Sequence, residues 1–329
     1  MSTTERSVVG RRRKPASGLP GKKRPASGLP GKKRPASGLP GKKRPASGLP
    51  GKKRPASGLP GKKRPASGLP GGPLTLGTVL LWLSIIVLLP LAAVASRSLS
   101  DGPGAFLDAV TDPRALATLR VTVQVSVAAT AVNVVMGTLI AWVLVRDDFP
   151  GKGIVNALID LPFALPTIVA SLVLLSLYGP MSPVGITLNA TKAGVIVALA
   201  FVTLPFVVRA VQPVLIELDR EVEEAAASLG ANNLVVFRRV VLPVLLPSIL
   251  SGAGLAFSRA LGEFGSVVLI GGNIPGDTQI ASQLIREQIE TDQPVDAAAI
   301  SVVLLAIAFV VLFVLRVSGN RLARREAQR

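Results

Sequence analysis

An all-α polytopic membrane protein with six transmembrane helices, carried behind a disordered basic N-terminal tail, is the fold class this sequence predicts. Three observations predict it. The 329 residues are 49% hydrophobic and 17% charged, with a mean hydropathy of +0.52, above that of ordinary soluble domains. The charge is segregated: residues 1–72 hold 20 Lys and Arg against one acid, whereas residues 73–329 hold 17 against 18, leaving an apolar, nearly neutral body. Within that body, six apolar runs approach or exceed the roughly 20 residues that cross a hydrocarbon core as a helix.

The tail comes first. GKKRPASGLP occurs five times without change from Gly21 to Pro70, after a degenerate copy at Arg11 to Pro20. Each unit offers only Ala and Leu as apolar side chains, and its two prolines and two glycines break helix and strand alike, so no repeat can bury a face against the next. Residues 1–72 are therefore expected to be disordered, with extended polyproline-like stretches. Its cations can anchor the N-terminus on the cytoplasmic side against anionic membrane lipids. A nucleic-acid contact would be weak and sequence-blind, because no aromatic is interleaved for base stacking. Arg24, three residues before Ser27, repeats in every copy as a spacing that a basophilic serine kinase accepts.

The expected spans are Leu74 to Ala95, Leu119 to Val145, Ile154 to Tyr178, Ala193 to Val211, Val244 to Gly271 and Ala297 to Val317. Arg120, Asp160, Arg209, Arg259 and Glu263 stand inside them. Pro162 and Pro166 in the third span and Pro205 in the fourth read as packing kinks. With the N-terminus inside, the cytoplasmic side collects Arg146, Lys152, Arg209, Arg220, Arg238, Arg239, Arg316, Arg321, Arg324, Arg325 and Arg329, against Arg97, Arg114, Arg120, Lys192 and Arg286 outside. This asymmetry places both termini in the cytoplasm.

The same topology puts residues 217–243 on the cytoplasmic face. Leu218, Val222, Ala225 and Leu229 follow the spacing of one helix face, and Glu217, Asp219, Glu221, Glu223 and Glu224 load the first turns with the negative charge that a helix N-terminus favours. Gly230 suits a C-terminal cap, Asn232 or Asn233 a new start, and Pro243 a turn back into the bilayer. A helix lying on the membrane surface would carry lysines on its polar face; an acidic face is repelled by anionic lipid and points to a protein partner.

Much chemistry is excluded. The sequence has no cysteine and no histidine, which removes disulfides, Cys/His zinc sites, Cys/His nucleophile pairs and Ser/His/Asp triads. No phosphate loop of the Gly-x4-Gly-Lys-Ser/Thr type is present, since the GKK of each repeat lacks both the leading glycine and the following hydroxyl. No catalytic, cofactor-binding or metal-binding residues are expected, and any ATP-derived energy must come from another subunit.

Glu224-Ala225-Ala226, three residues, Gly230, nine residues, Val240, one residue, then Leu242-Pro243 resembles the EAA signature of bacterial ABC-importer permeases. The resemblance implies a type I importer permease fold over residues 73–329 and a coupling helix that seats in a cleft of a cytoplasmic ATPase. Glu224, Ala225, Ala226, Leu229 and Gly230 would then be its contact and hinge residues. SRALGEFGSVVLIGGNIP from Ser258 to Pro275, LPFALPTIVASL from Leu161 and FVTLPFVVRAVQPVL from Phe201 resemble the T subunit of the sulfate/thiosulfate permease. The RALGEFG core is shared with the W subunit and with molybdate and tungstate permeases. The implied partners are a W-type permease, two ATP-binding subunits and an extracytoplasmic sulfate-binding protein in a bacterial cytoplasmic membrane, with sulfate or thiosulfate as substrate. The repeat tail departs from the family pattern.

Two readings stay open for the fifth span. Arg259, four residues before Glu263 and so on its helix face, with Ser258 and Ser266 nearby, could ease an oxyanion across the subunit interface. Alternatively the two charges neutralise each other and fix packing, as a buried charge beside its counter-charge usually does. Gly252, Ala256 and Ala260 form a small-residue ridge for close helix packing. A homodimeric molybdate or tungstate permease, and a membrane-tethered scaffold or nucleic-acid binder acting through the tail, are the alternative functions.

Overall fold

Every regular element among the described residues is helical, as the sequence predicts. The computed structural model describes residues 72–326. The repeat tail and its expected disorder lie outside them.

The first span is built from α1 (Gly72–Leu83), a π-helical turn at Ser84–Leu88 and α2 (Leu89–Ser98), together an apolar rod over Leu74–Ser98. The wide turn has a cause in the sequence. Pro90, in the first turn of α2, has no N–H to donate, and the Leu89 N–H reaches back five residues to the Ser84 carbonyl just before it. α2 packs on the last helix, while the α1 side chains stay exposed.

α3 (Gly102–Thr111) leads into α4 (Pro113–Arg146), which begins six residues before the expected Leu119. Asp112 sets that start by accepting from the Arg114 N–H (2.9 Å) and the Ala115 N–H (3.0 Å), with Pro113 at the first helical position. Hydropathy misses these turns because Pro113, Arg114 and Thr118 interrupt the apolar pattern there.

The third span is not the continuous Ile154 to Tyr178 helix expected. α5 (Lys152–Ala164) and α6 (Thr167–Tyr178) meet at an angle of 114°. Pro166 excludes Leu165 from the helical region, and both residues are extended, so the expected kink becomes a full break. Counted as one bent span, the pair completes six.

α7 (Lys192–Glu217) is capped by Thr191, whose hydroxyl accepts from the Gly194 N–H at 3.1 Å. It is the core helix, with Val195, Ala198, Leu199, Val207, Val208, Val211 and Leu215 fully buried between α4 and α10. It carries Pro205 and Pro213 without ending. α8 (Arg220–Ser228) and α9 (Asn233–Val236) follow.

A π-helical turn at Phe237–Val241 joins α9 to α10 (Leu242–Leu261), giving one rod over Asn233–Leu261. Pro243 therefore does not turn the chain. The π turn, with the Leu242 N–H on the Phe237 carbonyl, precedes the position that cannot donate, and the helix passes through. The fifth span ends at Leu261, ten residues short of the expected Gly271.

Residues 262–280 form an irregular segment, exposed over 272–277 and mostly buried on either side, whose backbone is served by neighbours. Ser171 on α6 accepts from the Leu269 and Ile270 N–H groups (3.1 and 3.3 Å), and Thr122 on α4 from the Ala281 N–H (2.8 Å). Irregular backbone at membrane depth is tolerated where protein supplies such partners. α11 (Ala281–Glu290) and the long α12 (Pro294–Glu326) complete the bundle, α12 packing along α10.

The small-residue ridge lies where the sequence places it. A Cβ added at Gly252 would sit 2.9 Å from the Ala210 Cβ and 3.0 Å from the Val207 Cα, and Ala256 and Ala260 are buried beside it.

Candidate functional site

The helix within residues 217–243 is α8. Asp219 caps it by accepting from the Glu221 N–H at 3.0 Å, and Glu221 and Glu223 stand in its first turn, against the positive end of the dipole. Its end is a Schellman motif. The Ala231 N–H bonds the Ala226 carbonyl (3.2 Å), the Gly230 N–H bonds the Ala227 carbonyl (2.9 Å), and Gly230 adopts φ +87°. The surroundings of Gly230 are open, so glycine is needed there for its backbone conformation. Asn232 rather than Asn233 caps the next helix, accepting from the Val235 N–H at 2.9 Å.

The predicted apolar face is divided. Leu218 ends α7 and packs into the core, whereas Val222, Ala225 and Leu229 are exposed, Leu229 to 90%. Ala226 takes the inward position, against a cluster that includes Val236, Phe237 and Val241. Of the five residues predicted for partner contact, Glu224, Ala225, Leu229 and Gly230 are outward and Ala226 is turned to the bundle.

Two arginines tie this loop to α4. Arg146, the last residue of α4, donates from Nη2 to Glu223 Oε1 at 2.5 Å and to the Leu218 carbonyl at 3.1 Å. Arg220, the first residue of α8, donates to the Arg146 carbonyl at 2.8 Å and the Val145 carbonyl at 3.2 Å. The Arg146 guanidinium lies 5.8 Å from the Trp142 ring centroid, and Trp142 meets Phe237 edge-on at 5.5 Å.

At the opposite end of the bundle, Glu263 lies beyond the Gly262 cap of α10 rather than within the helix, yet its carboxylate still contacts Arg259 Nη1. The Glu263 side chain is 1% exposed and its Oε1 also accepts from the Ser266 N–H at 2.8 Å, while the Ser282 hydroxyl donates to the Glu263 carbonyl at 2.7 Å. The Ser258 and Ser266 hydroxyls are buried and bonded to neither charge. Arg259, Glu263 and the Ser266 backbone are thus brought together around one buried ion pair. Ser258 adjoins them in the chain alone.

Sequence reading missed two further networks. Arg209 on α7 fills its fork with Asp160 (2.8 and 2.5 Å), the Asn156 amide oxygen (2.9 Å) and carbonyl (3.0 Å), and Gln212 (2.6 Å), binding the broken third span to the core helix. The Asn156/Asp160 spacing of four and the Arg209/Gln212 spacing of three were its signal. Arg114 on α4 donates to both Glu287 oxygens at 2.7 Å and to Gln279 at 3.1 Å, and Gln279 donates onward to Asn273 and Glu287. Nothing local in the sequence signals a pairing across so many residues. Among the described residues, no group of three Asp, Glu, His or Cys could hold a metal ion.

A six-span helical bundle that presents a short acidic helix and a glycine-capped turn at one end has the form of a permease subunit, one that lends its membrane path to a transporter. Residues 133–327 match the model of the binding-protein-dependent transport system inner membrane component, and the chain belongs to that family of permease subunits, which are not themselves enzymes. It is 48% identical to the sulfate transport system permease protein CysT of Synechocystis sp. over 72% of this chain and 85% of that one. To the protein of the same description from Escherichia coli it is 43% identical, over 77% and 94%. The fold also matches a solved bacterial ABC transporter that imports alginate, with a TM-score of 0.63 at 14% identity, covering 75% of this chain and 94% of that one.

Proposed function

We propose that the chain is the T-type membrane subunit of an ATP-driven importer of sulfate or thiosulfate in a bacterial cytoplasmic membrane. The observation that carries this reading is its 43–48% identity to sulfate transport permeases across 85–94% of their length. It pairs with a homologous W-type permease, two ATP-binding subunits and an extracytoplasmic sulfate-binding protein, and both termini face the cytoplasm. Residues 217–243 form the coupling loop, in which Glu224, Ala225, Leu229 and Gly230 face the ATPase. Ala226 supports them from behind, since its side chain packs on the bundle.

Three features support the coupling role. Leu229 and Val222 are apolar and exposed on an acidic helix, which suits a protein groove better than anionic lipid. The Glu224 carboxylate bonds no other described residue, leaving it for a partner's cation. The Schellman turn fixes the angle at which α8 is presented.

At Arg259 the geometry favours mutual neutralisation with Glu263, with Ser258 and Ser266 left as packing residues. In proteoliposomes holding the whole complex, labelled sulfate uptake is expected to be competed by unlabelled sulfate and thiosulfate and left unchanged by equimolar molybdate. Competition by molybdate alone would move the assignment to the molybdate and tungstate permeases. Deleting residues 11–70 is expected to leave uptake intact, against the reading in which the tail is the functional part.

A further inference from the structure

We infer that Arg146, Glu223 and Arg220 form a crossed clamp that carries the displacement of α8 into α4, and that they are positioning residues of the coupling step. The inference rests on reading α8 as the ATPase-contacting helix.

Without a lateral tie α8 would swivel. It is joined to α7 through the extended residues Leu218 and Asp219, and to α9 through Gly230 in the left-handed region. Neither junction can transmit a push without bending. The tie comes instead from α4, more than 70 residues earlier in the chain.

The tie is reciprocal. Arg146 ends α4 but caps the carbonyl of Leu218, at the C-terminus of α7; Arg220 starts α8 but caps the Val145 and Arg146 carbonyls, at the C-terminus of α4. Helix C-termini expose unbonded carbonyls at the negative end of the dipole, so each arginine holds a group that has no partner within its own helix. The Arg146 and Glu223 side chains are only 10% and 18% exposed, so water and salt screen this pair little, and removing either member leaves a buried charge behind. Trp142, one turn earlier, carries the contact on to Phe237 at the start of the fifth-span rod.

What α4 then does follows from its length. Its 34 residues run unbroken, about 50 Å at the α-helical rise, to the Arg114 network, where Glu287 and Gln279 fasten it to α11 and to the irregular segment beside Glu263. A rod with a polar fastening at each end transmits rigid-body motion between them.

The test uses the whole complex in proteoliposomes and reads ATP hydrolysed per sulfate transported in Arg146→Gln, Glu223→Gln and the double variant. Each single substitution is expected to raise that ratio about fivefold or more. Complex yield should hold, and so should cross-linking of a Leu229→Cys probe to the ATPase. The double variant should be no worse than either single one, because the partners act as a unit. A merely structural role would lower yield without moving the ratio. Should Arg146→Gln fail to assemble, Arg146→Lys keeps the charge but not the planar guanidinium whose Nη2 serves both Glu223 and Leu218 beside Trp142, and it should assemble with a raised ratio. A parental ratio in an assembled, cross-linkable variant overturns the clamp while leaving the coupling loop standing. Absence of the Leu229→Cys cross-link in the otherwise unsubstituted chain overturns both.

Discussion

Gly252→Leu is expected to abolish assembly of the permease. A Cβ at this position would already lie 2.9 Å from the Ala210 Cβ, 3.0 Å from the Val207 Cα and 3.2 Å from the Phe206 carbonyl oxygen, and the last two are backbone atoms that cannot rotate away. Leucine adds three further heavy atoms to a contact that has no room for the first. Overpacking a filled core costs about 1–3 kcal/mol when the neighbours can shift. Here they belong to α7, the helix whose buried residues join α4 and α10, so relief requires the bundle to open. Membrane helices associate through close packing rather than a hydrophobic drive, which makes this loss hard to recover elsewhere. Size-exclusion yield of the complex in detergent is the readout. Gly153→Ala, at a position with open space around it, is the control expected to assemble normally.

Arg259→Gln is expected to be the most damaging single charge removal. It leaves the Glu263 carboxylate, 1% exposed, with the Ser266 N–H as its remaining bonded partner. Breaking a buried pair from one side costs about 3–5 kcal/mol, and the 38% exposure of the Arg259 side chain places the expected loss at the lower end, about 3 kcal/mol. The thermal midpoint of the complex should fall accordingly. The double variant Arg259→Gln with Glu263→Gln removes the stranded charge and should regain both the midpoint and sulfate uptake if the two residues serve each other. A double variant that assembles and hydrolyses ATP yet transports nothing would instead give Arg259 a direct part in moving the anion.

The sequence states much of this fold because lipid imposes simple rules on it. Spans two, four and six were legible from apolar length, and residues 217–243 from the shift to acids and alanines, with Gly230 and Asn232 capping where turn chemistry requires. The third and fifth spans were misjudged for one physical reason: hydropathy measures burial, not helicity. Residues 262–271 are largely apolar because most of them are irregular backbone packed inside the protein, and Leu165 is apolar at the point where the chain breaks. Prolines misled in both directions. Pro166 broke a helix expected to kink, and Pro243 sat inside a continuous helix where a turn back into the bilayer was expected, since a π turn supplied the missing tolerance. The candidate site was legible as a location and less so as a geometry. Ala226 and Leu229 share the same apolar sequence context, and only packing against the buried core cluster separates the inward residue from the outward one. Arg146 gave no sign of its role, because its partners Leu218 and Glu223 are distant in the chain.

Site-directed cross-linking tests the central claim most directly. The chain has no cysteine of its own, so single cysteines at Leu229, 90% exposed, and at Ala226, packed against the bundle, each provide a unique attachment point for a photoactivatable thiol probe. In native membranes the Leu229→Cys probe should capture the ATPase subunit, with a yield that changes on ATP binding, and the Ala226→Cys probe should capture it poorly or not at all. Equal labelling of lipid from both positions, with no ATPase captured from Leu229→Cys, would contradict the account.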